Sequence, residues 1–383
     1  VYGLEDFGRM IADRARLDAH VEAFRRVVTP SSVVLDLGAG TGIMTLLACR
    51  AGARRVYAVE PTGIAGLISE TAQANGYGDR VVILDRRSTE VTLPERADLI
   101  VSDLRGVLPP FESHFEDLTD ARDRLLAPGG CLIPQTDTVW VTICSAPDVF
   151  EERRQVWSSD LLGLSLRSAL PRIDNSPFKH RARPEDCLSP PVEWARLHYP
   201  TLRPGVVRSS GTCTIAADGV AHGLLAWFDT VLVDGVGYSN APGRPATIYG
   251  QLLFPWPQPV ALRSGDQVGF ELRADPIAAH CFWTWTTEIR RAGPEGPLPP
   301  LRFRQSTFGG MTILPGSLRR RASTFAPALS PAGEIALQVL EGVRAGKTVG
   351  ELAAELQAAR PDRFPSTDAA HGAVAALVER YGA

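Results

Sequence analysis

At 383 residues the chain is too long for a single compact unit and is read as two or three domains, each large enough for a core of its own. A net charge of -3 gives no global field toward nucleic acid, and no apolar run approaches the roughly 18 residues that a membrane span needs. The cysteines Cys49, Cys131, Cys144, Cys187, Cys213 and Cys281 form no Cys-x-x-Cys pair, which argues against a metal site and for a reducing, cytoplasmic setting.

Lys179 and Lys347 are the only lysines, an arginine skew that reads as codon bias before function. Because the chain opens on Val1 and not on methionine, a trimmed start and a removed targeting segment both stay open.

Residues 33–60 read as a buried strand (Val33, Val34, Leu35), an acidic glycine turn (Asp36, Leu37, Gly38, Ala39, Gly40, Thr41, Gly42), a helix, and a second strand ending in Val59 and Glu60. Glycines suit a sharp turn beneath a bound molecule, since a residue without Cβ tolerates positive φ and close approach. An acidic side chain at the end of the next strand can hold ribose hydroxyls, a role for Glu60. The order is Gly-x-Gly-x-Gly, unlike the dinucleotide Gly-x-Gly-x-x-Gly, and Asp36 suits a cationic amino group better than an anionic phosphate. The expected occupant is S-adenosylmethionine; a dinucleotide fold or a nonfunctional remnant are the competing readings.

Through residue 133, short apolar strands alternate with helical stretches: 55–59 then 64–75, 80–84, 97–101, then 115–126 and 131–133. Such alternation predicts an α/β, Rossmann-like domain with a parallel sheet. The run Ala127-Pro128-Gly129-Gly130 reads as the turn that ends the last helix.

After Pro134 the texture becomes β-branched and aromatic, with runs at 138–144, 211–215, 223–232, 248–254, 268–272 and 281–289. This predicts an antiparallel β-barrel or sandwich. Residues 165–191 interrupt it, as a projecting arm or a long loop. Residues 301–322 contain no acidic residue and carry Arg302, Arg304, Arg319, Arg320 and Arg321, a solvated linker or a docking strip. Residues 330–340, 348–358 and 369–381 have helical spacing, with Ser330-Pro331 and the Thr348/Glu351 capping box as helix starts. The expected division is 1–134, 135–300, a basic linker 301–322, and a helical or winged-helix module 323–383.

The strand 99–102 runs into Asp103, and Glu112 follows in a loop rich in turn residues, Gly106, Pro109 and Pro110 among them. In an open α/β sheet that loop overhangs the cleft of the glycine turn. Here residues 1 to about 290 resemble the protein arginine methyltransferases. In that family two glutamates nine positions apart grip the substrate guanidinium, and they fall on Asp103 and Glu112. Phe111-Glu112-Ser113 is similar too, as is an N-terminal segment carrying Tyr2, Phe7-Gly8 and the run from Met10 to Arg16.

The resemblance implies that Arg16 pairs with the cofactor carboxylate, that Tyr2, Phe7 and Met10 border the substrate, that a β-barrel follows, and that 165–191 is a dimerisation arm of a homodimer. The departures are specific. Asp103 sets its carboxylate back by roughly 1.5 Å, where a misplacement of about 1 Å can cost about 100-fold in rate. Thr247-Ile248-Tyr249 stands where the family has Thr-His-Trp, so Tyr249 borders the substrate without the histidine. Ser88 and Thr89 occupy the region of an acidic adenine contact, and His114 stands where methionine is usual, as a base or as a polar loop residue.

The tail resembles PqqD-like leader-peptide recognition domains through Leu329-Ser330-Pro331, Thr348 to Leu352 and Leu377 to Tyr381, although wing strands are not evident. The leading expectation is an S-adenosylmethionine-dependent N-methyltransferase acting on a peptide or protein side chain, arginine or another nitrogen base such as histidine. A ribosomal-peptide precursor with a leader peptide would be its substrate, with no nucleic acid, membrane or metal involved. Methylation of a small natural product at O or N, and a non-catalytic cofactor-binding scaffold, are the alternatives.

Overall fold

The computed structural model describes residues 2–277, 280–293 and 296–382. Two helices, α1 (Leu4–Ile11) and α2 (Arg14–Val27), precede the first strand. Asp13 starts α2 by accepting the backbone N–H of Arg16 at 3.1 Å, as an N-cap does. Strands and helices then alternate as the periodicity predicts: β1 (Val33–Leu37), α3 (Ile43–Arg50), β2 (Arg55–Val59), α4 (Ala65–Ala74), β3 (Val81–Leu84), β4 (Ala97–Ser102), α5 (His114–Leu125) and β5 (Leu126–Ile133).

The five strands are parallel, in the order β3-β2-β1-β4-β5. Every residue of β1 is buried, because helices cover both faces of such a sheet. Register then fixes what meets at its edge. Leu37 lies beside Val59 on one side and Ser102 on the other. The residues that follow those three, Gly38, Glu60 and Asp103, therefore leave the sheet side by side at its carboxyl edge.

One local expectation fails. Residues 127–130 are not a separate turn but lie within β5, whose pairing with β4 slips between Ala97↔Leu126 and Leu99↔Cys131. Gly129, at φ 78°, lets the strand absorb the extra residues as a bulge.

β6 (Thr136–Cys144) opens the antiparallel part. It is followed by α6 (Pro147–Ser158), a small hairpin of β7 (Asp160–Leu161) and β8 (Leu164–Ser165), α7 (Leu170–Asp174) and β9 (Phe178–His180). Next come β10 (Val192–His198), β11 (Val207–Thr214), β12 (Gly219–Val233), β13 (Val236–Ser239), β14 (Gln251–Leu262), β15 (Gln267–Ile277) and β16 (His280–Arg290). A second small hairpin, β17 (Ala292–Gly293) and β18 (Gly296–Pro297), leads to β19 (Leu301–Ser306) and the short α8 (Thr307–Gly310).

These strands make two sheets, β10-β6-β12-β14-β9 with β13 added to β12, and β11-β15-β16-β19. Their facing side chains, including Trp194, Phe228, Phe254, Trp256 and Trp285, share one core. Among the described residues no ladder joins the two sheets, so what is seen is two antiparallel sheets over one core, without the continuous pairing that would close a barrel. Alternating burial along each strand is common to both arrangements and could not separate them. Residues 165–191 contain α7 and also β9, which extends the sheet by pairing with β14.

The expected basic linker is also corrected. Its first residues are β19, paired with β16 from Ile289↔Leu301 to Thr284↔Ser306. Phe303 and Gln305 point inward while Arg302 and Arg304 face out, the alternation of an edge strand with a charged rim.

Residues 1–311 form one unit and 312–383 another, so no boundary falls at 134. The reason lies in a shared core: Phe24, Val34 and Ile133 pack with Leu232, Val233 and Val236.

The second unit contains α9 (Pro315–Arg320), α10 (Pro331–Arg344), α11 (Val349–Ala359) and α12 (Thr367–Tyr381). Ser330, Thr348 and Ser366 cap the last three, and Glu351 returns to the Thr348 N–H at 2.7 Å, completing the expected capping box. Ile335, Val339, Leu352, Leu356, Phe364 and Val374 form its core. Among its described residues there is no strand, so nothing in it corresponds to the wing of a winged helix.

No helix among the described residues is long and apolar enough to cross a membrane, and no group of His, Cys, Asp and Glu among them is placed to hold a metal ion.

Candidate functional site

At the carboxyl edge of the parallel sheet, Gly38, Gly40 and Gly42 take φ of 75°, 54° and 85°, a left-handed region that disfavours residues with a Cβ. Space is tight there as well. A Cβ on Gly40 would come within 2.9 Å of the Phe7 ring, and one on Gly38 would run into the Leu104 side chain. Phe7 of α1 thus lies on the turn.

Glu60 closes the turn from the next strand. One of its oxygens accepts the Gly40 N–H at 2.9 Å, and the other accepts the backbone N–H and hydroxyl of Thr62 at 3.1 and 2.7 Å. Asp36 is buried inside the turn and accepts the Thr45 hydroxyl at 2.6 Å. Burial pushes its carboxyl up to about 7, against the Thr45 hydrogen bond.

Arg16 reaches this edge from α2. Its guanidinium donates to the Met10 carbonyl at 2.6 Å and forms an ion pair with Asp103. Asp13 holds the segment from behind, accepting the Ile248 N–H at 2.7 Å.

Asp103 also accepts the Tyr249 hydroxyl at 2.5 Å and the Arg105 Nη2–H at 2.9 Å. Burial alone would raise its carboxyl, but the guanidiniums of Arg16 and Arg105 outweigh that and hold it well below the usual carboxylate range.

Arg105 is the centre of the cluster. It has no exposed side-chain surface. Its Nη1 donates to Asp137 at 2.9 Å and to the Thr230 hydroxyl at 2.9 Å, and its Nη2 donates to the Tyr238 hydroxyl at 2.5 Å. Asp137, equally buried, accepts the Tyr199 hydroxyl at 2.6 Å. The rings of Phe228, Tyr238 and Tyr249 lie 5.2, 5.6 and 5.8 Å from the guanidinium carbon, within cation–π range. Tyr238 and Tyr249 are parallel to within 3°. His20, wholly buried beside Tyr238, gives Nδ1 to the Arg16 carbonyl at 2.8 Å and leaves Nε2 without a partner. Burial lowers it to about 4, so the ring is neutral.

The structure thus brings together Arg16, Asp103, Tyr249 and Met10, beside Gly38, Gly40, Gly42, Asp36, Glu60 and Phe7. Other sequence-derived candidates stand apart. Glu112, at φ 45°, is exposed and borders a separate notch with Phe111, Phe115, Val207, Pro276 and Cys281. No hydrogen bond ties its carboxylate to another described residue, and it does not join Asp103 in the cluster.

His114 is 1% exposed and packs against Phe115 and Tyr199, its Nδ1 on the Pro109 carbonyl at 3.1 Å. It is a core residue at the start of α5, and neither a loop base nor a substrate contact in this arrangement. Ser88 is buried with its hydroxyl 3.4 Å from Asp117, Thr89 is exposed, and Tyr2 is exposed with its ring edge on Phe7.

Arg105, Asp137, Tyr199, Tyr238 and His20 were not reached by sequence reasoning. One trace was there: Arg105 is the only charged residue between Asp103 and Glu112.

Residues 18–134 match a family described as ribosomal protein L11 methyltransferase. A probable protein arginine N-methyltransferase 6 of Arabidopsis thaliana is 37% identical over 150 residues, 39% of this chain and 34% of that protein. Protein arginine N-methyltransferase 2 of Mus musculus is 30% identical over 278 residues, 68% of this chain and 61% of that protein. The chain therefore spans less than two thirds of the length of either relative. Among solved structures, a Trypanosoma brucei PRMT1 enzyme-prozyme heterotetrameric complex with AdoHcy aligns with a TM-score of 0.70 at 22% identity, over 80% of this chain and 98% of that one. That likeness is one of fold.

Proposed function

We propose that the chain is an S-adenosylmethionine-dependent N-methyltransferase whose acceptor is a nitrogen of a peptide or protein side chain, arginine or another base such as histidine. The observation that carries this reading is the convergence, on one sheet edge, of a left-handed glycine turn, Glu60 on the turn, and the Arg16–Asp103 pair. The residues at the turn fit the cofactor: Glu60 for ribose hydroxyls and Arg16 for the carboxylate, whereas an adenine contact from Ser88 and Thr89 rests on the family resemblance alone. When bound, S-adenosylmethionine supplies a methyl group on an electrophilic sulfonium.

What the chain contributes is alignment and exclusion of water. Phe7 and Leu104 cover the turn, and Asp103, fixed by three partners, is a rigid acceptor that can orient an incoming N–H. Tyr249, at the position of the family's tryptophan and next to Ile248 where its histidine would stand, holds that carboxylate. The helical unit 312–383 has a core of its own and is read as the site that holds a leader peptide and raises the local concentration of its distant target. A second copy of the chain is expected to complete a homodimer in the cytoplasm.

The test is label transfer from S-adenosylmethionine to a precursor peptide, with the labelled residue located by mass. Label on a side-chain nitrogen supports the reading. Tight cofactor binding without label on any peptide or protein would sink it.

A further inference from the structure

We infer that Arg105 is a specificity-determining residue: it occupies the acid-and-aromatic cage beside Asp103 as a built-in guanidinium, so the acceptor that docks there must be uncharged, and the imidazole of a histidine fits. This rests on the methyltransferase reading above and narrows its substrate.

A guanidinium or ammonium substrate needs unspent anionic charge, because it enters as a cation beside a cofactor that also carries a positive sulfonium. The buried cluster has no carboxylate left without guanidinium or backbone N–H partners. Its two carboxylates, Asp103 and Asp137, face two guanidiniums, Arg16 and Arg105, and all four side chains are largely or wholly buried. Asp13, with one oxygen 3.9 Å from Arg16 Nε, spends its oxygens on the backbone N–H groups of Arg16 and Ile248. Glu112 is exposed at its own notch.

Arg105 is also saturated. Two carboxylates and two hydroxyls take its N–H groups, and three aromatic rings surround it. If Arg16 turns to the cofactor carboxylate, Arg105 and Tyr249 still hold Asp103, and the cofactor's ammonium and sulfonium bring more positive charge to the site than that turn releases negative charge. A further cation would meet Arg105 across a shared carboxylate, in a site of low dielectric where like charges repel strongly.

Among the nitrogen bases of protein side chains, lysine and arginine are protonated at neutral pH and histidine is largely not. A neutral imidazole can donate its N–H to Asp103, which points the other ring nitrogen, with its lone pair, away from the carboxylate. That nitrogen forms the N–CH3 bond as the C–S bond breaks, and the bonding pair stays on sulfur to leave S-adenosylhomocysteine. The methylimidazolium then loses the proton of its second nitrogen to water and leaves as neutral methylhistidine. Asp103, held ionised by its guanidinium neighbours, orients the ring and does not keep the proton.

The experiment compares peptides identical except for His, Arg or Lys at the acceptor position, with wild type, Arg105→Met, and the charge-balanced double variant Arg105→Met/Asp137→Asn. The double variant removes one cation and one anion together and so guards against misfolding. Wild type is expected to favour the His peptide in kcat/KM by at least about tenfold, and each variant should move the Arg/His ratio toward Arg by about tenfold or more. Cofactor affinity should stay within about threefold, marking intact pockets.

A purely structural role would lower activity on every peptide alike and leave the ratio unmoved, which overturns the inference. Preference of wild type for the Arg or Lys peptide overturns it too, even if neither variant folds. No label on any peptide removes this inference together with the reading beneath it.

Discussion

Gly40 and Gly76 share a left-handed backbone, φ 54° and 74°, but differ in what surrounds them. A Cβ at Gly40 meets Phe7 at 2.9 Å, and one at Gly76 meets nothing within 4 Å. Both alanine variants should lose about 1–2 kcal/mol to backbone strain. Only Gly40→Ala should also displace Phe7 and weaken cofactor binding, by about tenfold or more. Calorimetric titration of the two variants separates strain from site damage; equal cofactor affinities would refute the cover role of Phe7.

Asp36 sets a pH dependence of known sign. Its folded-state carboxyl is raised to about 7 by burial, whereas an unfolded one titrates near 3.8. The native state therefore binds the extra proton between those values. The stabilisation is complete below about 4 and is lost as pH rises to about 7, at about 1.4 kcal/mol for each unit.

His20 works in the opposite direction. Its folded value is lowered to about 4 from 6.5, so it contributes stability that is lost as pH falls through that window. Asp36→Asn should flatten the first slope, with Thr45 still able to donate its hydrogen bond. Urea unfolding of wild type and variant from pH 4 to 7 reads the difference, and parallel curves would contradict the assignment.

The glycine turn, Glu60, Asp103 and Arg16 could be read from local pattern because each sits on or next to a recognisable element end. Arg105 could not. Its partners Asp137, Thr230 and Tyr238 lie far along the chain, and only the packing of β6, β12 and β13 brings them to it.

At the scale of elements, periodicity located helices and strands well wherever hydrophobicity carried it, and failed where composition disguised it. β19 looked like a linker because its outward residues are arginines. Its inward residues are committed, however: Phe303 packs on Trp256, and Gln305 donates to the Pro255 carbonyl at 2.8 Å.

Ending the chain at residue 300 should therefore uncover the β16 edge and the core beneath it, giving an insoluble or low-melting product. Ending it at 311 should leave the 1–311 unit folded. Circular dichroism melts of the two truncations test this, and matching melting temperatures would restore the linker reading. The bulge in β5 has the same lesson in reverse: Pro-Gly-Gly announced a turn, yet pairing with β4 on either side kept it in the strand.

At the scale of the molecule, the sequence argued for three domains and a linker, and the chain divides into two units. If the helical unit holds a leader peptide, the truncation at 311 should bind cofactor as the full chain does. It should methylate a leader-bearing peptide at least about tenfold more slowly. Equal rates on leader-bearing and leaderless peptides in both forms would dismiss that role.

The missing boundary at residue 134 traces to one strand. β12 runs 15 residues, and along its length Leu224 and Phe228 enter the core shared by the two antiparallel sheets, Leu225 and Trp227 enter a cluster on the opposite face, and Leu232 and Val233 enter the core beneath the parallel sheet. It acts as a mechanical spine through residues 1–311. Heat or force that loosens one half must draw the same strand from the other, so this unit should absorb heat in a single sharp transition, and neither half should persist as a folded fragment.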